Sequence, residues 1–140
     1  MDTPLNNQLE LKDILLSKDF AKFGDNVINF IYNAAIYNAT ERLQGVKVWD
    51  KCLAGACINS PLRSYIGSRK SKGDLGDAIE AFIGYLYLRD KSSIEFMINL
   101  LSRFFEQKKT LIADNEQKIC EEGITFLINE LCKKYEIESR

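Results

Sequence analysis

The 140-residue chain contains no histidine. This absence excludes catalysis by Ser-His-Asp triads and Cys-His pairs, and it removes the commonest general base near neutral pH. An enzyme of this composition must rely on carboxylates, lysines or a bound metal ion. The cysteines follow no zinc-binding spacing and have no histidine to complete a mixed site, so we expect free thiols in a reducing cytosol at Cys52, Cys57, Cys120 and Cys132.

The sequence also lacks any apolar run of the roughly 18–20 residues that a membrane helix needs. Its first residues, Met1 to Pro4, are polar and acidic, which argues against a secretory signal and predicts a cytoplasmic protein without a membrane partner. The formal net charge is −1, so binding of nucleic acid would require a local basic patch. The length is that of one domain, which we expect to span residues 1–140.

Glycine and proline are sparse, and apolar residues follow a helical spacing almost everywhere. The fold class predicted from this pattern is all-α. We expect a loop from Gly67 to Gly73 and a capping box at Ser92 to Glu95 that opens one helix. The other expected helices are 9–17, 20–40, 47–59, a short turn of 60–66 that opens with Ser60-Pro61, 75–89, and a last helix with buried Ile124, Leu127, Ile128 and Leu131.

The segment from Phe20 to Asn38 carries only two charged residues, Lys22 and Asp25. A helix that is apolar on nearly all sides is usually central to a fold. One apolar stripe would contain 23, 27, 30, 31 and 34, with Asp25 facing away from it. A carboxylate in such a helix must be paired, capped or metal-bound. The alternative is that Asp25 only complements the dipole at the helix N-terminus.

Asp77 and Glu80 lie three residues apart, so both carboxylates project from one face of a helix whose core stripe is 79, 82, 83 and 86. Like charges at this spacing repel unless a cation lies between them, and hard divalent cations prefer oxygen ligands. The pair could instead complement the helix dipole. Gly84 in the same helix costs about 1 kcal/mol relative to alanine, which indicates close approach of another helix.

Four cations precede this acidic helix: Arg63, Arg69, Lys70 and Lys72. They could meet phosphate oxygens near a metal ion, or they could belong to an ordinary solvated loop.

Two of these segments resemble the signatures of the ribonuclease III family. Residues 21–27 read A-K-F-G-D-N-V and are similar to the family's F-L-G-D-A-V. Residues 75–88 read L-G-D-A-I-E-A-F-I-G-Y-L-Y-L and resemble its second motif, L-A-D-x-x-E-A-L-I-G-A-x-Y-L. Residues 48–56 and 62–66 are similar to its middle helices. Order and spacing agree over about 20–90, and the form is that of the compact Mini-III type and of small archaeal ribonuclease III-like proteins.

The resemblance implies an all-helical, Mg²⁺-dependent endoribonuclease that cuts double-stranded or structured RNA as a homodimer, with Mn²⁺ able to substitute. Asp25, Asp77 and Glu80 would be the catalytic metal ligands, and Gly24 would allow close packing beside them. RNA-binding residues would be Arg63, Arg69, Lys70 and Lys72. No double-stranded-RNA-binding domain is expected within these residues.

The sequence departs from the larger family members at two positions. Ala21 stands where they have a glutamate, and Lys18 where they have another acid, so the metal loses a ligand unless Asp19 or a water compensates. Three functions therefore stand beside one another: a metal-dependent nuclease, a catalytically inactive RNA-binding or assembly module of the same fold, and an unrelated helical interaction domain.

Overall fold

The structure, a computed structural model, describes residues 10–140. That part of the chain contains helices and connecting segments and no strand, which confirms the all-α fold class. The elements in chain order are α1 (Leu11–Leu15), α2 (Lys18–Thr40), α3 (Asp50–Ile58), a 3-10 helix (Pro61–Tyr65), α4 (Lys72–Leu88), α5 (Ile94–Gln107) and α6 (Lys109–Lys134).

Most predicted helices are present, but several ends differ. The first was predicted to begin at Leu9, which lies outside the described residues, and it ends earlier, at Leu15. The third begins at Asp50 and not at Lys47, because residues 46–48 are not helical and Val46 and Val48 are hydrogen-bonded to asparagines of α2. Ser60 caps the 3-10 helix as predicted, since its Oγ accepts a hydrogen bond from the Leu62 amide.

Helix α4 begins three residues before its predicted start. Ser71 Oγ accepts from the Asp74 amide at 3.2 Å, and Asp74 Oδ2 accepts from the Ser71 amide at 3.2 Å. This reciprocal capping box stabilises the first turn inside the predicted loop. The predicted box at Ser92 is wrong: Ser93 caps α5, and Ser92 is buried with its hydroxyl 2.7 Å from that of Tyr135.

Helices α2 and α4 form the centre of the fold, packed against each other, with α5 also on α2 and α3 also on α4. The core stripe predicted for α4 is fully buried at Ile79, Phe82, Ile83 and Leu86. The stripe predicted for α2 is only partly right. Val27 and Ile31 are buried, but Phe30 is 58% exposed and Phe23 36% exposed. The buried side of α2 is rotated from them toward Ala21, Gly24, Ile28, Tyr32 and Ala35.

Helix α6 packs on α3 and α5 and buries all four of its predicted core residues. A break in helical geometry at Asn115 (φ −140°, ψ 39°) divides it into two segments. All four cysteines are buried and free, as predicted. None of the helices described here has both the length and the apolar content that a membrane crossing requires.

Candidate active site

A cleft of about 490 Å³ lies where α2, α4 and the segment before α3 meet. It brings together the three acids predicted from the sequence and adds several lysines to them. We call it the acidic cleft; it is lined by Lys18, Ala21, Lys22, Asp25, Lys47, Asp50, Asp77 and Glu80.

Contact between the backbones of α2 and α4 places two of these acids side by side. A Cβ atom built on Gly24 would lie 1.7 Å from the Glu80 carbonyl oxygen, so only glycine permits this approach. Asp25 follows Gly24 directly, and its carboxyl group lines the same cleft as the Glu80 carboxyl group and raises the pKa of Glu80. The crossing therefore brings into one cleft two carboxyl groups that are 55 positions apart in the sequence.

Glu80 is 8% exposed, and none of its side-chain oxygens accepts a hydrogen bond from an N–H group of the described residues. Burial raises the pKa of Glu80 to about 8, and the adjoining Asp25 contributes further. The carboxyl group is thus mostly protonated at neutral pH unless a cation arrives. A buried acid of this kind, with a second carboxyl beside it, is the arrangement that a divalent cation relieves.

Asp25 has a different environment from Glu80. Its Oδ1 accepts hydrogen bonds from Lys47 Nζ at 2.8 Å and from Asn29 Nδ2 at 3.0 Å. Burial raises the pKa of Asp25, but hydrogen bonds from Lys47, Glu80 and Asn29 together outweigh burial and leave this pKa below its ordinary value. The environments of the two acids thus shift their pKa values in opposite directions, that of Asp25 down and that of Glu80 up. The predicted dipole interaction alone does not describe Asp25, because it is paired with a lysine.

Asp77 lines the same cleft but is paired with a lysine of α2. Lys18 Nζ lies 2.8 Å from Asp77 Oδ2 and 3.4 Å from Asp74 Oδ1. The hydrogen bond to Asp77 is the main cause that raises the pKa of Lys18. Both lysines remain more than 60% exposed at their side chains, so these pairs are accessible to solvent and to competing ions.

The donors of the acidic cleft suit a hard divalent cation, but two of the acids are occupied by ammonium groups. Within residues 10–140, no group of three acidic or thiol side chains is already arranged to hold a metal ion. Asp25 and Asp77 each direct one oxygen to a lysine, which leaves Asp25 Oδ2, Asp77 Oδ1 and both oxygens of Glu80. A cation that binds here must compete with Lys18 and Lys47 for the same carboxylates.

The other residues singled out from the sequence lie elsewhere. None of the four predicted RNA-binding cations lines the acidic cleft. Arg63 Nη1 donates to the Ile66 carbonyl oxygen at 2.9 Å, whereas Arg69, Lys70 and Lys72 are exposed before and at the start of α4. Asp19, considered as a substitute ligand, is exposed and does not line the cleft either. Ala21 does line it, so the position of the family glutamate adjoins the acids.

Sequence reasoning missed Lys18 and Lys47 as partners of the acids. It also missed Asn29 and Asn33, which hold the backbone on either side of Lys47. The only signal for the asparagines was their spacing: positions 25, 29 and 33 repeat every four residues along one side of α2. No sequence pattern predicted that Lys47 would pair with Asp25, because Lys47 belongs to a non-helical segment whose path is fixed by hydrogen bonds to α2.

Comparison with known proteins adds one finding. The chain matches the family described as Ribonuclease III over residues 18–137, which is nearly the whole sequence. No curated protein matches the chain at a significant level.

Proposed function

The chain belongs to the ribonuclease III family, and from this premise we propose that it is a divalent-metal-dependent endoribonuclease that hydrolyses phosphodiester bonds of double-stranded or structured RNA. The observation that carries the proposal is the meeting of Asp25, Asp77 and Glu80 in one cleft, although Asp25 comes from a different helix than the other two. Asp25, Asp77 and Glu80 are the proposed catalytic residues and metal ligands. The proposed cofactor is Mg²⁺, with Mn²⁺ as a substitute.

In the proposed reaction, each of the three proposed metal ligands has a distinct task. A bound divalent ion supplies Lewis-acid activation of water and of a phosphoryl oxygen. Asp25 offers an ionised carboxylate, and Glu80 gives up its proton when the cation is bound, so cation binding is coupled to proton release. Asp77 contributes the oxygen that does not face Lys18. The chemistry needs no histidine, in agreement with the composition.

The proposed RNA contacts extend beyond the cleft. Arg69, Lys70 and Lys72 are exposed at the start of the helix that carries Asp77, so they can meet a duplex backbone along the same face. Arg63 is half-buried and tied to the Ile66 carbonyl, which makes it the weakest of the four proposed contacts. Because these contacts are made by exposed cations to phosphates, the RNA affinity that they contribute should depend strongly on salt.

We also propose that the protein acts as a homodimer. Phe23, Phe30 and Tyr37 recur every seven residues on the solvent side of α2 and are 36–58% exposed. Tyr87 of α4 stacks on Phe23 and is itself 39% exposed. An exposed aromatic stripe of this length is typical of a surface that a partner covers. A cytoplasmic location is proposed as well, in keeping with four free buried thiols.

The experiment is cleavage of long duplex RNA by the purified protein at low salt with Mg²⁺ or Mn²⁺. We expect endonucleolytic fragments that disappear with EDTA and with Glu80→Gln. Glu138→Gln is the matched control, since Glu138 is exposed and lines no part of the acidic cleft. Duplex RNA that stays intact while it binds the protein would contradict the nuclease assignment.

A catalytically inactive module of the same fold is the second candidate. It is favoured by the two lysines that already neutralise Asp25 and Asp77, and by Ala21 in place of an acid. Under this alternative, Glu80→Gln changes RNA binding little and no metal-dependent cleavage is observed. The family match rules out the unrelated helical domain considered from the sequence. A thermal melt with Mg²⁺ tests the metal site itself, because a cation specific for the folded protein must raise the melting temperature.

A further inference from the structure

Lys47 lies between the acidic cleft and a second one. The second cleft has a volume of about 520 Å³, and we call it the amide cleft; it is lined by Asp25, Asn29, Phe30, Asn33, Gln44, Gly45, Val46 and Lys47. Only Asp25 and Lys47 line both. Their ion pair, with 2.8 Å between Lys47 Nζ and Asp25 Oδ1, therefore forms the boundary between the two clefts.

The backbone on both sides of Lys47 is fastened to α2. Asn33 donates from Nδ2 to the Val46 carbonyl oxygen at 2.8 Å and accepts at Oδ1 from the Val46 amide at 3.1 Å. Asn29 accepts at Oδ1 from the Val48 amide at 2.7 Å. These bonds fix the residues before and after Lys47 although the segment has no helical structure. The position of the Lys47 backbone is thus a built feature of the fold.

Asn29 also connects this backbone to the acid itself. Its Nδ2 donates to Asp25 Oδ1, the oxygen that Lys47 Nζ contacts. Its Oδ1 accepts from the amide of Val48, the residue directly after Lys47. Glu80 and Asp50 lie near enough to act on the ammonium electrostatically. Lys47 thus serves as the counter-ion of Asp25 with other acidic groups nearby, while its side chain stays 63% exposed.

We propose that Lys47 is a resident counter-ion that a divalent cation displaces from Asp25, and that the freed ammonium then binds an RNA phosphate at the boundary of the two clefts. The proposal rests on the proposed function and names a further RNA-binding residue for it. Two positive charges cannot share one carboxylate without mutual repulsion, so a cation on Asp25 weakens the Lys47 pair. The flexible four-carbon stem lets the ammonium move while the fastened backbone keeps it beside the site.

The first test measures metal binding without reference to activity. Melting temperatures are recorded during titration with Mn²⁺ for the full chain and for Lys47→Met. Removal of the competing ammonium should make Mn²⁺ binding about 3- to 10-fold tighter, the effect expected for loss of one partly exposed charge. Lys133→Met is the matched control, because it breaks a similarly exposed ion pair with Glu130 on α6 and should leave the Mn²⁺ titration unchanged.

The second test measures the salt dependence of duplex RNA binding, in EDTA and in Mn²⁺. In EDTA, Lys47 is held by Asp25, so Lys47→Met should bind RNA within about twofold of the unmodified chain. In Mn²⁺, the variant should bind about 3- to 10-fold more weakly, and the slope of log K against log salt should be smaller by about one phosphate contact. Lys47→Arg, which keeps the charge, should restore the slope. Where the RNA is cut, KM replaces the dissociation constant as the readout.

The substitution Lys47→Met should strengthen Mn²⁺ binding and weaken RNA binding in Mn²⁺. A purely structural role for Lys47 does not predict these opposite changes. Mn²⁺ binding that is unchanged or weaker in Lys47→Met would overturn the counter-ion role. An equal effect of the substitution on the salt slope in EDTA and in Mn²⁺ would overturn the displacement. Both tests measure binding and work even if the protein cleaves no RNA. Failure of the nuclease assignment is therefore distinguishable from failure of the role proposed for Lys47. If Mn²⁺ does not change the melting temperature of the unmodified chain, both the metal site and the displacement of Lys47 are overturned.

Discussion

Gly84 of α4 lies against Gly24 of α2 at the point where the two helices cross. A Cβ atom on Gly84 would be 3.1 Å from the Gly24 Cα and 2.6 Å from the Phe20 carbonyl oxygen. The close approach that Gly84 predicted is thereby confirmed. Because Asp25 follows one glycine and Glu80 lies one helical turn before the other, this contact determines the distance between the two acids.

The substitution Gly84→Ala should destabilise the protein by about 1–3 kcal/mol, the usual cost of inserting atoms into a packed interior. The new methyl group would meet backbone atoms, which cannot rotate away as a side chain can. Urea unfolding followed by circular dichroism measures the change. Gly67→Ala is the control, since a Cβ there has no atom within 4 Å. Equal stability of the two variants would argue against a tight crossing.

Glu80 should make stability fall as pH rises through the neutral range. Burial raises the pKa of the folded Glu80 to about 8 from an ordinary value of 4.5, so between these values the folded chain binds about one proton more than the unfolded chain. The free energy of unfolding is then highest near pH 4.5 and declines until about pH 8. The lowered pKa of Asp25 acts below this window, and the raised pKa of Lys47 acts above it.

Thermal melts in EDTA from pH 5 to pH 9 measure this dependence, and no histidine contributes to it. Glu80→Gln should remove most of the slope, because glutamine cannot titrate. A slope that persists unchanged in Glu80→Gln would show that another group is responsible. Calorimetric titration with the proposed metal, in buffers of different ionisation enthalpy, should detect proton release on binding. The release should diminish toward pH 8, because Glu80 then carries less of its proton before the metal binds.

The exposed cations before α4 should contribute to RNA binding through phosphate contacts alone. Replacing both Arg69 and Lys70 with alanine should weaken duplex binding about 3- to 10-fold at low salt and reduce the salt slope by about 1–2. The melting temperature should not change, since both side chains are exposed. Lys108 and Lys109, replaced together, provide a control with the same loss of charge. Equal loss of binding in the two double variants would indicate a general charge effect.

Phe30→Glu should dissociate the proposed dimer without unfolding the protomer. Phe30 is 58% exposed, so a charge there costs the isolated protomer little, whereas in an interface it would be buried without a partner. We expect the dimer dissociation constant to rise at least about 10-fold, equivalent to 1.4 kcal/mol. Light scattering over a concentration series measures it, with Leu111→Glu on α6 as control. A monomer in the unmodified chain would contradict the dimer.

How much of the site was predictable depends on the range of the interactions involved. The pairing of Asp77 with Glu80 follows from helical spacing, and the structure does place both in one cleft. The start of α4 was predicted three residues too late, because Lys72-Gly73-Asp74 reads as a polar loop until the Ser71 capping box is recognised. The exposure of Phe23 and Phe30 also could not be read from the sequence, since α2 is apolar on most sides and its rotation depends on α4 and α5.

The sequence alone determined the helical class, the resemblance to the ribonuclease III family, the candidate acids and the exclusion of histidine chemistry. These follow from composition and from local spacing, which the chain carries whatever its tertiary structure. Only the tertiary structure decided in which direction the pKa of each acid is shifted and which lysines pair with the acids. Those properties arise from distances between residues far apart in sequence, and electrostatic interactions depend on distance and burial and not on sequence order.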